Sequence, residues 1–134
     1  MAAMKLRIHG NSMRFRITQS EMAALAAGAG LEDSLKFGPA PGERLVYVLE
    51  TSSQCSEIRA SYSDGVIHVT IPANLARTLE STDQVGIEHV QPTAKGAGLK
   101  ISLEKDFHCF HSRPDENESD NFPNPKQDQR QAKS

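Results

Sequence analysis

Tryptophan is absent from the 134 residues, aromatic residues of all kinds make up only 5%, and there are just two cysteines, Cys55 and Cys109. A core built without large rings must come from Leu, Ile, Val, Ala and a few Phe, so it is expected to be thin and aliphatic. Two cysteines are too few for a dense disulfide framework, and the first residues do not resemble a secretory signal. Reduced thiols and a cytoplasmic setting are therefore expected. No apolar run approaches the ~20 residues that a membrane-crossing helix needs, so no membrane partner is expected. A formal net charge of -2 gives the whole chain no electrostatic drive toward nucleic acid or an anionic bilayer.

What the sequence does contain is alternation. Lys5-Leu6-Arg7-Ile8-His9 and Met13-Arg14-Phe15-Arg16-Ile17 both read as strands, joined by Gly10-Asn11 as a tight turn. Successive side chains point to opposite sides, so Leu6, Ile8, Met13, Phe15 and Ile17 are placed on a core face, and Lys5, Arg7, Arg14 and Arg16 on the other. Thr18-Gln19-Ser20-Glu21 has capping-box spacing, Met22, Leu25 and Ala26 follow at helical intervals, and Gly28 and Gly30 end the helix.

Further strands are expected at 31–37, 44–51, 57–62 and 66–71, the last two joined by Asp64-Gly65. An antiparallel meander is the simplest arrangement for them. Pro72 opens a short helix to Ser81 with Leu75 and Leu79 inward, because a first-turn residue needs no amide donor. Strands at 84–90 and 99–104 then flank a loop from Gln91 to Gly98. The expectation is one α+β domain over residues 1–111, a mainly antiparallel sheet of about eight strands with two short helices. Residues 112–134, rich in Asn, Gln and acids with three prolines, read as a largely mobile acidic tail. Within it, Phe122 beside Pro123 and Pro125 could dock on the domain, a partner or a second copy of the chain.

Two groups of residues could carry function. Lys5, Arg7, Arg14 and Arg16 lie at cross-strand distances where like charges repel unless something neutralises them. Glu50, Glu104, Asp106 or the acidic stretch Asp115 to Asp120 could do so internally; a phosphate, a carboxylate ligand or an acidic protein partner is the alternative. The second group is Asp106, His108, Cys109 and His111, a donor set suited to a divalent transition metal, the one cofactor expected. In an extended segment these donors divide between two faces, and their spacing matches no familiar zinc motif. Packing of Cys109 with exposed histidines is the plainer reading. No nucleophile elbow, zinc-protease helix, phosphate loop or dinucleotide fingerprint is present, and no catalytic residue is assigned. Repeated exposed aromatics that would stack bases are missing, which argues against nucleic acid.

At Gly10-Asn11-Ser12, Arg14-x-Arg16-x-Thr18-Gln19-Ser20-Glu21, Asp83 to Glu88, Glu104 to Phe107 and Phe122-Pro123-Asn124-Pro125 the chain resembles a family of small bacterial proteins of unknown function over nearly its whole length. The resemblance implies a bacterial cytosolic origin and transfers no activity. A looser comparison is with triphosphate-tunnel enzymes, whose strands line a polar tunnel with alternating charges, although their Glu-x-Glu-x-Lys pattern is absent here. The expected function is a non-catalytic binding or accessory protein using its cationic sheet face. Alternatives are a triphosphate-tunnel-like metal-dependent phosphohydrolase and a metal-binding protein working through the segment from Asp106 to His111.

Overall fold

The computed structural model describes residues 4–107. Eight strands and two helices follow in the order β1 (Lys5–His9), β2 (Ser12–Ile17), α1 (Gln19–Ala26), β3 (Leu31–Lys36), β4 (Arg44–Ser52), β5 (Arg59–Ser63), β6 (Val66–Pro72), α2 (Ala73–Ser81), β7 (Gly86–Ala94) and β8 (Ala97–Lys105). The α+β class and the element count are as expected. The sheet is not. There are two four-stranded sheets, ordered β1-β2-β8-β7 and β3-β4-β6-β5, and both are mixed, because β2 runs parallel to β8 and β4 parallel to β6.

The expected meander fails because order within a sheet follows apolarity rather than sequence. Ile67, Val69, Ile71 and Pro72 make β6 an almost wholly buried strand, so it takes the centre beside β4. Arg59-Ala60-Ser61-Tyr62-Ser63 is mostly exposed and takes the edge, where polar side chains meet water and unwanted pairing is discouraged. The same logic puts β8, with Ile101, Ser102 and Leu103 buried, inside β7. The loop expected from Gln91 to Gly98 shrinks to a turn at Lys95-Gly96, and Pro92 is accommodated within β7 because that strand is an edge with a bulge beside it.

Phe15 on β2 and Tyr47 on β4 meet at 6.5 Å between ring centroids, so the two sheets face one another across a single core. Phe15, Ile17, Leu49, Ile71, Ile101 and Leu103 are completely enclosed there. Ile8, assigned to the core face by alternation, stays 58% exposed because β1 is an outer strand and its far end runs past the packed interior. The helices lie at the sheet ends opposite the hairpin turns and pack on each other. At the start of α1 the Thr18 hydroxyl accepts from the Glu21 amide and the Glu21 carboxylate accepts from the Thr18 amide at 2.9 Å, the reciprocal cap read from the sequence.

The chain is an internal repeat. Adding 54 to the numbers of the β1–β2 register, Lys5 opposite Arg16 through His9 opposite Ser12, yields the β5–β6 register, Arg59 opposite Thr70 through Ser63 opposite Val66. The parallel pairs Ser12 with Lys100 and Ile17 with Lys105 likewise map onto Val66 with Val46 and Ile71 with Thr51. Buried positions follow the same offset: Met4 and Ile58, Met13 and Ile67, Phe15 and Val69, Leu25 and Leu79, Leu49 and Leu103. Each half is therefore ββαββ, and each sheet takes one hairpin pair from either half. Few identities survive between the halves beyond Ile17/Ile71, Leu25/Leu79, Leu49/Leu103, Glu50/Glu104 and Cys55/Cys109, so the repeat is hidden at the level of sequence.

One seam between the sheets is closed by a side chain. The Gln91 amide on β7 accepts from the Ala60 main-chain amide at 2.8 Å and donates to the Ala60 carbonyl at 2.9 Å, acting as a substitute peptide group for the β5 edge. Removing two half-buried hydrogen bonds should cost about 1–3 kcal/mol. Gln91→Ala is accordingly expected to lower the urea midpoint and to speed amide exchange at Ala60 more than elsewhere in β5.

Burial and then the neighbouring Asp33 carboxylate push the Tyr47 phenol above its ordinary value of 10.0. A proton held more tightly in the folded state means that the unfolded chain releases it first as pH rises. Stability should therefore fall as pH climbs above about 10 and through the folded-state value. Tyr47→Phe is expected to flatten this alkaline decline in denaturant titrations, while leaving the curve near neutral pH with the same slope.

Candidate functional site: a cationic sheet face

Register places the charged residues of the first sheet in rows across its outer face. Lys5, Arg16, Glu104 and Gly86 form one row; Arg7, Arg14, Ser102 and Glu88 the next; His9, Ser12, Lys100 and Val90 the third. The intervening rows, such as Leu6, Phe15, Leu103 and Ile87, face the core. All four basic residues singled out in the hairpin are thus brought together on one surface. Lys100 joins them. It could not be found by reading the hairpin alone, because it arrives through parallel pairing with a strand 88 positions away from its partner Ser12.

The acids on this face are fewer than the cations. Glu104 lies 3.5 Å from Arg14 and 3.4 Å from Arg16, so one carboxylate answers two guanidinium groups. Asp106 pairs with Lys5 at 2.9 Å and Glu88 with Lys100 at 3.2 Å. Two of the expected internal partners, Glu104 and Asp106, are in place. Glu50 is not: it lies on the second sheet, 3.1 Å from His68. Arg7, directly opposite Arg14, has no acidic partner among the described residues.

The internal repeat supplies a control within the same molecule. Glu50 occupies the position of Glu104, and the His68–Glu50 pair that of Arg14–Glu104. Arg7 and Arg16, however, correspond to Ser61 and Thr70, and Lys100 to Val46. The second sheet keeps Arg59, Arg44 and Lys36 on its outer face but holds together with no cation at these three positions. Arg7, Arg16 and Lys100 are consequently not a requirement of the fold.

The remaining candidates are only partly placed. Asp106 is committed to Lys5, and His108, Cys109 and His111 lie outside the described residues. Among the described residues no group of three or more His, Cys, Asp or Glu side chains is arranged to hold a metal ion. Phe122, Pro123 and Pro125 also lie outside them. Cys55 is a half-buried free thiol whose Sγ reaches the Ser52 carbonyl at 3.9 Å. A cleft that the sequence did not announce separates β5 from β7, where His89 lies 3.5 Å from Glu57 and Gln91 bridges to Ala60.

A family model covers residues 4–126, and its family has no assigned function. The chain belongs to this family of unknown function, DUF7009. The near full-length resemblance read from the sequence is thereby met. No curated protein matches the chain. No helix among the described residues is long and apolar enough to cross a membrane.

Because Glu104 restrains two half-exposed arginines, its neutralisation should matter more to binding than to folding. Glu104→Gln is expected to change the unfolding free energy by less than about 1 kcal/mol. It should also strengthen binding of inorganic tripolyphosphate, measured by titration calorimetry at low salt.

Proposed function

We propose that this protein is a non-catalytic accessory protein of the cytoplasm that binds an anionic ligand or an acidic protein partner on the outer face of the first sheet. One observation carries the reading. Arg7, unanswered by any acid among the described residues, stands opposite Arg14, which shares one carboxylate with Arg16, whereas the repeated half does without arginine at all three corresponding positions. Like charges held side by side destabilise a strand pair, so the retention of Arg7 beside Arg14 where Ser61 and His68 serve at the corresponding place is best accounted for by an anion that relieves the repulsion on binding.

The cations stand in successive rows across a partly exposed sheet surface, which suits an extended or polymeric anion better than a small enclosed substrate. No observation among the described residues favours the phosphohydrolase alternative.

Calorimetric titration of the intact chain with tripolyphosphate and with an oligoglutamate peptide tests this. Wild type should bind at least one of the two, with affinity falling as salt rises. Arg7→Ala with Arg14→Ala should weaken binding roughly tenfold, as expected for losing two charge contacts of somewhat under 1 kcal/mol each. Arg59→Ala with His68→Ala, on the corresponding face of the other half, should leave it unchanged. Equal losses from both pairs of substitutions, or no binding by wild type at low salt, would remove the proposal.

A further inference from the structure

The β1 edge of the first sheet carries more information than its charge. In a hairpin with a two-residue turn, the pair flanking the turn exchanges hydrogen bonds and the next pair does not, in alternation along the strands. His9 and Ser12 flank Gly10-Asn11, so Ile8 with Met13 and Leu6 with Phe15 are the pairs whose main-chain groups do not bond across the hairpin. The amide and carbonyl groups of Leu6 and Ile8 therefore point outward along the free edge of the sheet. No described residue bonds to them there.

The repeated half shows what this position takes. Ala60 corresponds to Leu6, and both of its main-chain groups are bound by an amide, that of Gln91, at 2.8 and 2.9 Å. On β1 the flanking side chains further narrow the occupant. Outward lie Lys5 and the unanswered Arg7; inward lie half-buried Leu6 and Ile8, 58% exposed. A second copy of β1 added antiparallel through Leu6 and Ile8 would set Arg7 against its own copy and Lys5 against His9, where like charges disfavour pairing. An added strand with acidic residues on one side and apolar residues on the other satisfies the amides, the cations and Ile8 together.

We propose that β1 takes up an extended segment of a partner protein, with alternating acidic and apolar residues, by strand addition to the first sheet. This rests on the cationic face being a binding surface and specifies the kind of partner it receives.

The test uses the full chain, isotopically labelled, and the acetylated and amidated hexapeptide Glu-Val-Glu-Val-Glu-Val. Binding should slow exchange of the Leu6 and Ile8 amides by about tenfold or more, the signature of new main-chain hydrogen bonds. Arg7→Glu should weaken the peptide roughly five- to tenfold, by replacing one attraction with a repulsion. Because charge alone would account for that loss, N-methylation of the peptide amides that face β1 supplies the second arm: it keeps every charge and should abolish binding. If the methylated peptide binds as well as the parent and Leu6 and Ile8 are not slowed, strand addition is overturned while the cationic-face reading stands. If tripolyphosphate binds and the peptide does not, the same separation follows. Slow exchange at Leu6 and Ile8 in the free chain, lost on Glu116→Gln, Glu118→Gln and Asp120→Asn, would also overturn it, by giving the edge to this chain's own tail.

Discussion

Two parallel strand contacts, β2 with β8 and β4 with β6, are what the rest of the structure depends on. Each joins a hairpin from one half of the chain to a hairpin from the other, so neither sheet can be completed by a half alone. The buried residues Phe15, Ile17, Leu103 and Ile101 come together only across the first contact, and Leu49, Val69 and Ile71 only across the second. Burial of aliphatic surface is the dominant favourable term in folding, and here most of it waits on pairings between distant parts of the chain. A fold with that much non-local contact is expected to form slowly relative to a helical domain of the same length.

The same two contacts create the surface to which function is attributed. Parallel pairing brings Glu104 beside Arg16 and Lys100 beside Ser12, so the outer face of the first sheet is assembled from the beginning and end of the described chain. The second sheet is assembled by the same rule and retains the carboxylate, as Glu50, but has His68 and Thr70 where the first has Arg14 and Arg16. Duplication thus leaves one half free to specialise. The core positions kept in both halves, Leu25 and Leu79 among them, mark what the fold needs; Arg7 and Arg16, which Ser61 and Thr70 replace in the other half, mark what it does not.

Local physics was legible in the sequence wherever a short stretch suffices to decide. Thr18 and Glu21 declared the helix start, Asp64-Gly65 the turn with both residues at positive φ, and alternation through Arg14-Phe15-Arg16 the two faces of β2. Strand order was not legible, because period-two patterning says which side of a strand is buried and nothing about its neighbours. Gln91 illustrates the limit from the other side. In sequence it is one more polar residue before a proline, and only the proximity of two sheet edges gives its amide a main-chain partner. The basic hairpin and Glu104 as a candidate partner were found from the sequence, while Lys100 became part of the face through topology alone.

Edge strands expose the consequences of that topology. Four strands bound the two sheets, and three of them carry distinct devices: β5 is engaged by Gln91, β7 carries Pro92 and a bulge, and β1 carries a row of like charges. Each of these devices discourages uncontrolled pairing. The last leaves the main-chain groups accessible, since charge repels a like strand and attracts an opposite one. An edge protected by charge is therefore selective rather than closed. On β1 that selectivity coincides with the cation that has no acidic partner among the described residues, which is why the proposed binding surface and the open edge are read as one site rather than two.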